Sequence, residues 1–261
     1  HGASKRKNRT NKMRSIMLLF LLLSGLSYAQ SNKVPSYFGV HYKALFPNNF
    51  VGSKSLTLNN QEFSSTCTQK RGYSIGATVR AGITKLIAFE TGINLIHRNF
   101  NLQMSVVDSN QFAERDLSFL SYDIPLNCLI YIKLNKTWYA NASLGISAVY
   151  KPSTIGGVNN LEGSHSFIHT GYVDYKKKFS ADFNGNVGFE FRSKNSGFFY
   201  LGGAVQIPLE PLFYLAGMYK YQGYELTDID SVSGAFLSLD LKYFFPLTKS
   251  NGSTFKPGPI E

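Results

Sequence analysis

FSADFNGNVGFEFR, residues 179–192, decides how the rest of the chain is read. Phe179, Ala181, Phe183, Gly185, Val187, Phe189 and Phe191 alternate with Ser180, Asp182, Asn184, Asn186, Gly188, Glu190 and Arg192. Successive side chains of a β-strand point to opposite faces, so this is a strand with one apolar and one polar side. A soluble sandwich and a membrane barrel both alternate in this way. The choice between them rests on the connections and on what each face carries.

Seven further segments repeat the alternation, at 36–46, 71–83, 86–100, 117–134, 138–151, 198–209 and 235–246, and 179–193 makes eight. Three connections are tight: Thr84-Lys85, Asn135-Lys136-Thr137 and Lys194-Asn195-Ser196-Gly197. The other four, 47–70, 101–116, 152–178 and 210–234, are long. Compact soluble domains rarely keep several loops above about 12–15 residues. Strict long-short alternation gathers the long ones at one end, the arrangement of outer-membrane barrels with short periplasmic turns. The expectation is an all-β fold, an eight-stranded antiparallel up-and-down transmembrane β-barrel with long extracellular loops.

The faces fit that placement. Trp138, Ala140, Ala142, Leu144, Ile146, Ala148 and Tyr150 form an apolar side with an aromatic at each end. Trp138, Tyr150, Phe179, Phe191, Tyr243 and Phe245 are therefore assigned to aromatic girdles at the two membrane interfaces. The opposite faces carry His41, Lys43, Arg80, Glu90, Arg98, Asp123, Lys133, Asp182, Glu190, Arg192, Asp240 and Lys242. Buried charges must be paired, and an eight-stranded interior is just wide enough for its own side chains. These residues should form a charge network that closes the lumen. Gly76, Gly82, Gly92, Gly145, Gly188 and Gly202 on the same faces suit a crowded interior, and Pro125 and Pro208 should mark bulges there.

Ahead of the strands, Met13-Arg14 leads into the apolar run at 16–23 and the small-residue site Ser27-Tyr28-Ala29. This is the pattern of a signal peptide over 13–29, cleaved after Ala29, with 1–12 as upstream residues, 30–246 as the barrel and 247–261 as a periplasmic tail. The run is shorter than the roughly 20 residues a spanning helix needs. The chain's net charge is +11; with the six basic residues of 1–29 set aside, 21 basic against 16 acidic residues leave +5. That excess gives no support to nucleic-acid binding. A disulfide between Cys67, in a turn-like segment, and Cys128, on an apolar strand face, would require a loop folded down the outside of the barrel.

Chemistry-bearing patterns are sparse, and the expectation is no catalytic residue, no metal and no cofactor. His97 on an apolar face, with Ser105 and Asp108 nearby in sequence, is the one arrangement a lipid-modifying enzyme could use, and a belt histidine explains it as well. His165 and His169 stand at i, i+4 in a long connection, a spacing that suits a metal only on a helix; the expectation there is a solvated loop. The long connections are rich in aromatics, among them Tyr172, Tyr175, Phe213, Tyr214, Tyr219, Tyr221 and Tyr224, with Lys176-Lys177-Lys178 beside them. Exposed aromatics on a rigid scaffold are common binding material.

LSFLSYDIPLNCLIYIKLNKTWYANASLGISAVY, residues 117–150, resembles the Tyr-x-Ile-Pro-Leu strand, short turn and glycine-containing return strand of the small outer-membrane barrel proteins of Bacteroidetes, the PorT-like group. The Ala29-Gln30 junction and the Tyr243-Phe244-Phe245 end are similar too. The resemblance implies the outer membrane of a Gram-negative bacterium, with lipid including lipopolysaccharide around the barrel and the barrel-assembly machinery as a partner in biogenesis. It implies no catalytic residues. A structural, binding or assembly role through the loops, with a ligand or protein partner there, is the leading expectation. An outer-membrane lipid hydrolase or acyltransferase and a PorT-like part in type IX protein export are the alternatives.

Overall fold

The computed structural model describes residues 36–84, 86–107, 110–152, 154–160, 165–174, 177–193 and 196–246. The expected signal peptide, the segment before it and the tail from 247 onward lie outside the described residues. Thirteen strands are found among them. They are β1 Ser36–Phe46, β2 Ser55–Asn60, β3 Phe63–Gly82, β4 Ile87–Val106, β5 Gln111–Lys133, β6 Trp138–Tyr150 and β7 Ile155–Asn160. The rest are β8 His165–Tyr172, β9 Phe179–Ser193, β10 Gly197–Pro208, β11 Phe213–Tyr221, β12 Tyr224–Val232 and β13 Phe236–Phe244.

Eight of them form a ring. The order is β1-β13-β10-β9-β6-β5-β4-β3, every neighbour antiparallel, and β3 pairs back onto β1 from Gly72↔Leu45 to Ala81↔Ser36. Closing the hydrogen-bond ladder leaves the ring without an edge. The short turns are held by side chains that take up free backbone donors: Asn135 Oδ1 accepts from the amides of Thr137 and Trp138, both at 2.8 Å, and Thr84 Oγ1 accepts from those of Leu86 and Ile87.

The long connections are not loops, which corrects the expectation. β3, β4 and β5 run on past the ring, so 101–116 is a hairpin in register from Asn101↔Asp116 to Val106↔Gln111. β2 adds to the extension of β3. Connections 152–178 and 210–234 supply a second sheet, β12-β11-β8-β7. Between the two layers lies an apolar core that includes Leu58, Phe63, Phe100, Leu102, Met104, Phe119, Phe167, Phe213, Leu215 and Leu226. Phe213 is its hub, edge-on to Phe100 at 5.2 Å and stacked on Phe119 at 5.4 Å. The ring thus carries a packed β-cap at its long-connection end.

Cap and ring have opposite polarity, on the same strands. Within the ring, β4 turns Ile87, Phe89, Ile93 and Leu95 outward and Glu90, Asn94 and Arg98 inward; beyond it, Phe100, Leu102, Met104 and Val106 are the inward residues and are buried. β5 does the same, with Ala113, Leu117 and Phe119 facing the cap core and Leu120, Tyr122, Ile124 and Leu126 facing out from the ring. On β3 the change of register between Lys70 and Tyr73 brings the parity into line. Gly72 stands at that irregularity, so close to the His97 carbonyl that no side chain fits. Pro125 interrupts pairing with β4 without shifting the register, so the bulge expected there is absent.

Candidate functional site

The interior of the ring is the most highly organised polar region of the molecule. At the short-turn end Arg80 is the centre: its Nε and Nη2 donate to Glu90 Oε2 at 3.0 and 2.7 Å, and its Nη1 donates to Glu190. Arg192 Nε reaches the other oxygen of Glu190 at 2.6 Å, and Lys242 Nζ reaches the other oxygen of Glu90. Aromatic rings cover the cations. Arg80 lies 4.1 Å from the Phe244 centroid and Arg192 4.1 Å from that of Tyr139, which suits a desolvated guanidinium.

Halfway up, Asp240 takes Lys43 at 3.5 Å, the Ser238 hydroxyl and the Asn186 amide. Tyr200 donates to Asn186 across the place where Gly188 faces Gly202; a side chain on either glycine would strike the phenol. Nearer the cap, Asp182 accepts from Gln206, and Asp123 accepts from Ser147, which in turn accepts from Asn184. Two cations join this layer to the cap's connections: Arg98 donates to the carbonyl of Gly234 and Lys151 to that of Pro211, at 3.2 and 3.1 Å.

Of the expected network, His41, Lys43, Arg80, Glu90, Asp123, Asp182, Glu190, Arg192, Asp240 and Lys242 face the interior. Lys133 does not join them. It is exposed at the rim, because β5 ends there and its ammonium escapes to solvent beside Tyr139. Inside the ring, Lys43, Arg80, Arg98, Arg192 and Lys242 stand against Glu90, Asp123, Asp182, Glu190 and Asp240, with buried Lys151 a further cation where the interior meets the cap. A gap lined by His41, Asn94, Asp123 and Asn184 measures ≈ 20 Å³, about the space of one water. Both nitrogens of His41 and Asn94 Oδ1 are buried there without a protein partner, so a water in that gap would satisfy them.

The outer wall is as apolar as the interior is charged. Leu144 is 76% exposed and Phe179 74%, with Ile124, Leu126, Val187 and Phe189 among many others. The assigned aromatics sit on this wall in two bands. Tyr243, Phe199, Phe191 and Trp138 are consecutive register partners at the short-turn end, with Phe245 below, stacked on Phe38. Tyr122, Tyr150 and Phe179 are partners at the other end. β6 has 13 residues, so at ~3.3 Å per residue and a tilt of ~40° the bands lie about 30 Å apart.

His97 stacks on Tyr73 on the outer wall at 5.0 Å, while Ser105, eight residues up the same strand, is about 26 Å away. Asp108 lies outside the described residues. His165 and His169 are not in a solvated loop. Both stand on β8 and face the cap core, His165 bonded through Nδ1 to Tyr219 Oη at 2.6 Å. His169 is fully buried without a hydrogen-bond partner, and burial, then the charge of Arg115, lowers its pKa. Protonation therefore works against the folded cap as pH falls below the ordinary histidine value. No group of three or more potential metal ligands occurs among the described residues.

Cys67 and Cys128 are both free. Cys67 is in the cap core, where burial pushes its thiol up to about 12 from 9.0. That leaves roughly a thousandfold less thiolate than a free cysteine at the same pH. Alkylation of Cys67 by a maleimide should be undetectable on the folded protein and follow cap unfolding in urea; prompt labelling of the native protein would mean that the cap is not packed as described.

No family model and no curated protein matches the chain. Among solved structures, the beta domain of the Bordetella autotransporter Brka aligns over 81% of this chain and 99% of its own, at 8% identity and a TM-score of 0.21. At that score the likeness carries no argument. The fold itself defines the class: an all-β, antiparallel up-and-down ring of eight strands with a charged interior, an apolar outer wall and a β-cap.

Proposed function

We propose that the protein is an integral outer-membrane β-barrel, closed to ions, that presents a rigid β-cap on the outer side as a structural or binding platform and is not an enzyme. One observation carries the reading: the alternation on β4 and β5 inverts where the ring gives way to the cap. In water both parts would bury their apolar side. A strand that buries apolar residues above and displays them below passes from one solvent to another. The spacing of about 30 Å between the aromatic bands supports the same reading, since it is close to the thickness of the hydrocarbon core.

The cap gives the role its shape. Its outer surface carries Tyr172 and Tyr214, stacked at 5.5 Å with Lys177 over Tyr214, on strands fixed by a core of their own. Such a surface is preformed, which lowers the ordering cost of binding a partner. A part in protein export of the PorT-like kind would use the same face.

Two measurements test the proposal. Unboiled protein from the membrane fraction should migrate faster on a gel than boiled protein, and the purified protein should give no steady conductance of porin size in planar bilayers. Recovery as a soluble periplasmic protein overturns the membrane reading. A steady open channel overturns the closed lumen.

A further inference from the structure

Where the ring gives way to the cap, the outward face of β3, β4 and β5 changes character within one register row. Leu120, His97 and Tyr73 form the last row of the apolar wall, with His97 stacked on Tyr73. The next row, Ser118, Asn99 and Lys70, is polar, and the strands then rise through three more. The first of these runs Ser55↔Thr68↔Asn101↔Asp116 and the second Thr57↔Thr66↔Gln103↔Glu114. The third ends on β5 in Phe112, whose ring is 57% exposed. Neighbouring side chains hold one another in place: Ser55 bonds to Thr68 at 3.1 Å and Thr57 to Thr66 at 3.2 Å. Asn101 Nδ2 donates to Glu114 Oε1 at 2.8 Å and to Asp116 Oδ1 at 2.9 Å, which fixes both carboxylates and leaves each a second oxygen for a ligand. Of the twelve positions in the three upper rows, only Glu114 and Asp116 are charged, and none is a lysine or arginine. Short side chains of this kind lose little rotamer freedom when a ligand covers them.

We infer that this face binds the uncharged sugar headgroup of a glycolipid lying in the same leaflet. The inference rests on the membrane reading proposed above. Hydroxyls and amides both donate and accept, as sugar hydroxyls do, so the two sides pair without leaving a proton unused. The free oxygens of Glu114 and Asp116 accept from sugar hydroxyls in charge-assisted bonds, and Phe112 offers an open ring to the C–H side of a sugar. Other partners fit less well. Nucleic acids and phosphorylated headgroups need cations, and the three rows have none. A protein partner or a second copy would find no apolar centre, since the one aromatic stands at the corner of the face. Position names the source: the lowest polar row is one step above the row of Tyr73 and His97, so the face stands where the headgroups of the adjoining leaflet lie.

The folded protein is placed, with a metal chelator present, in phosphatidylcholine nanodiscs that carry a small fraction of digalactosyldiacylglycerol. Native mass spectrometry then counts the lipids that stay with it. Digalactosyldiacylglycerol should be retained at least about fivefold above its share of the disc, the yield of one net hydrogen bond. The double variant Gln103→Ala/Phe112→Ala, altered only at exposed positions, should retain both lipids in proportion to their share, with Cys67 still closed to maleimide as the sign of an intact cap. Proportional retention by the wild type overturns the site while leaving the membrane reading intact. Enrichment that survives the double variant puts the glycolipid elsewhere on the protein and overturns the site as well. Loss of the enrichment when free galactobiose is added at the glycolipid's own concentration gives the face to soluble glycans and overturns the lipid source, because a ligand held in the same membrane has the higher effective concentration. Recovery of the folded protein outside the discs overturns the membrane reading itself.

Discussion

Arg80→Ala should lower the stability of the ring by about 3–5 kcal/mol or more, the range for removing one partner of a buried ion pair. The guanidinium is fully buried and serves two carboxylates at once, Glu90 and Glu190, each of which would keep one cation and lose its shared one. Urea unfolding in vesicles, followed by Trp138 fluorescence, measures the loss as a drop in midpoint at unchanged slope. Replacing the group as a whole, Arg80→Met with Glu90→Gln, Glu190→Gln, Arg192→Met and Lys242→Met, should recover much of it, because none of the five linked charges is then left without its partner. An Arg80→Ala midpoint equal to the wild type would mean that water reaches these carboxylates and that the interior is not sealed.

Leu144→Arg is expected to cost about 2–4 kcal/mol in vesicles, the range for arginine on the lipid face of a barrel near the bilayer midplane. Leu144 is more exposed than any other large apolar residue in the middle of β6 and packs against little. If the wall faced water, the same change would fall within about 0.5 kcal/mol of zero, as surface substitutions do. The variant therefore separates the two solvents. Thr170→Arg on the exposed face of β8 is the control and should be neutral in either case.

The eight ring strands and the direction of their faces could be read from the chain because period two persists through each of them. The cap could not be read as easily. A scan that follows one apolar face loses β4 near Phe100, where the apolar residues pass to the other parity while burial stays on the same one, and so ends the strand six residues before Val106. Residues 101–116 look polar as well, since Asn101 donates to both Glu114 and Asp116 across the hairpin. A local signal was present at Tyr221-Gln222-Gly223-Tyr224, where both turn residues have positive φ and β11 folds back on β12. For β8 no local signal suffices. Its partner β11 comes from another connection, and His169 is buried only because residues some fifty positions away in sequence cover it. Lys133 shows the converse limit: its parity is inward, but it stands one step beyond the end of the crowded interior.

The cap sheet is assembled from two separate connections, β7–β8 leaving β6 and β11–β12 leaving β10, and it joins at the β8–β11 pairing. That pairing spans β9 and β10, so the ring hairpin between them has to be in place before the two halves meet at low entropic cost. Adjacent hairpins are local and fast, whereas β8–β11, and above all the β1–β13 seam that joins Gly39 to Phe244, are long-range and slow. Amide protection during refolding should accordingly rise first along β3–β4 and β5–β6, and last across β8–β11 and the β1–β13 seam. Until β8 and β11 meet, the polar interior stays open to solvent at one end, and the docking of Pro211 and Gly234 onto Lys151 and Arg98 is the event that dries it.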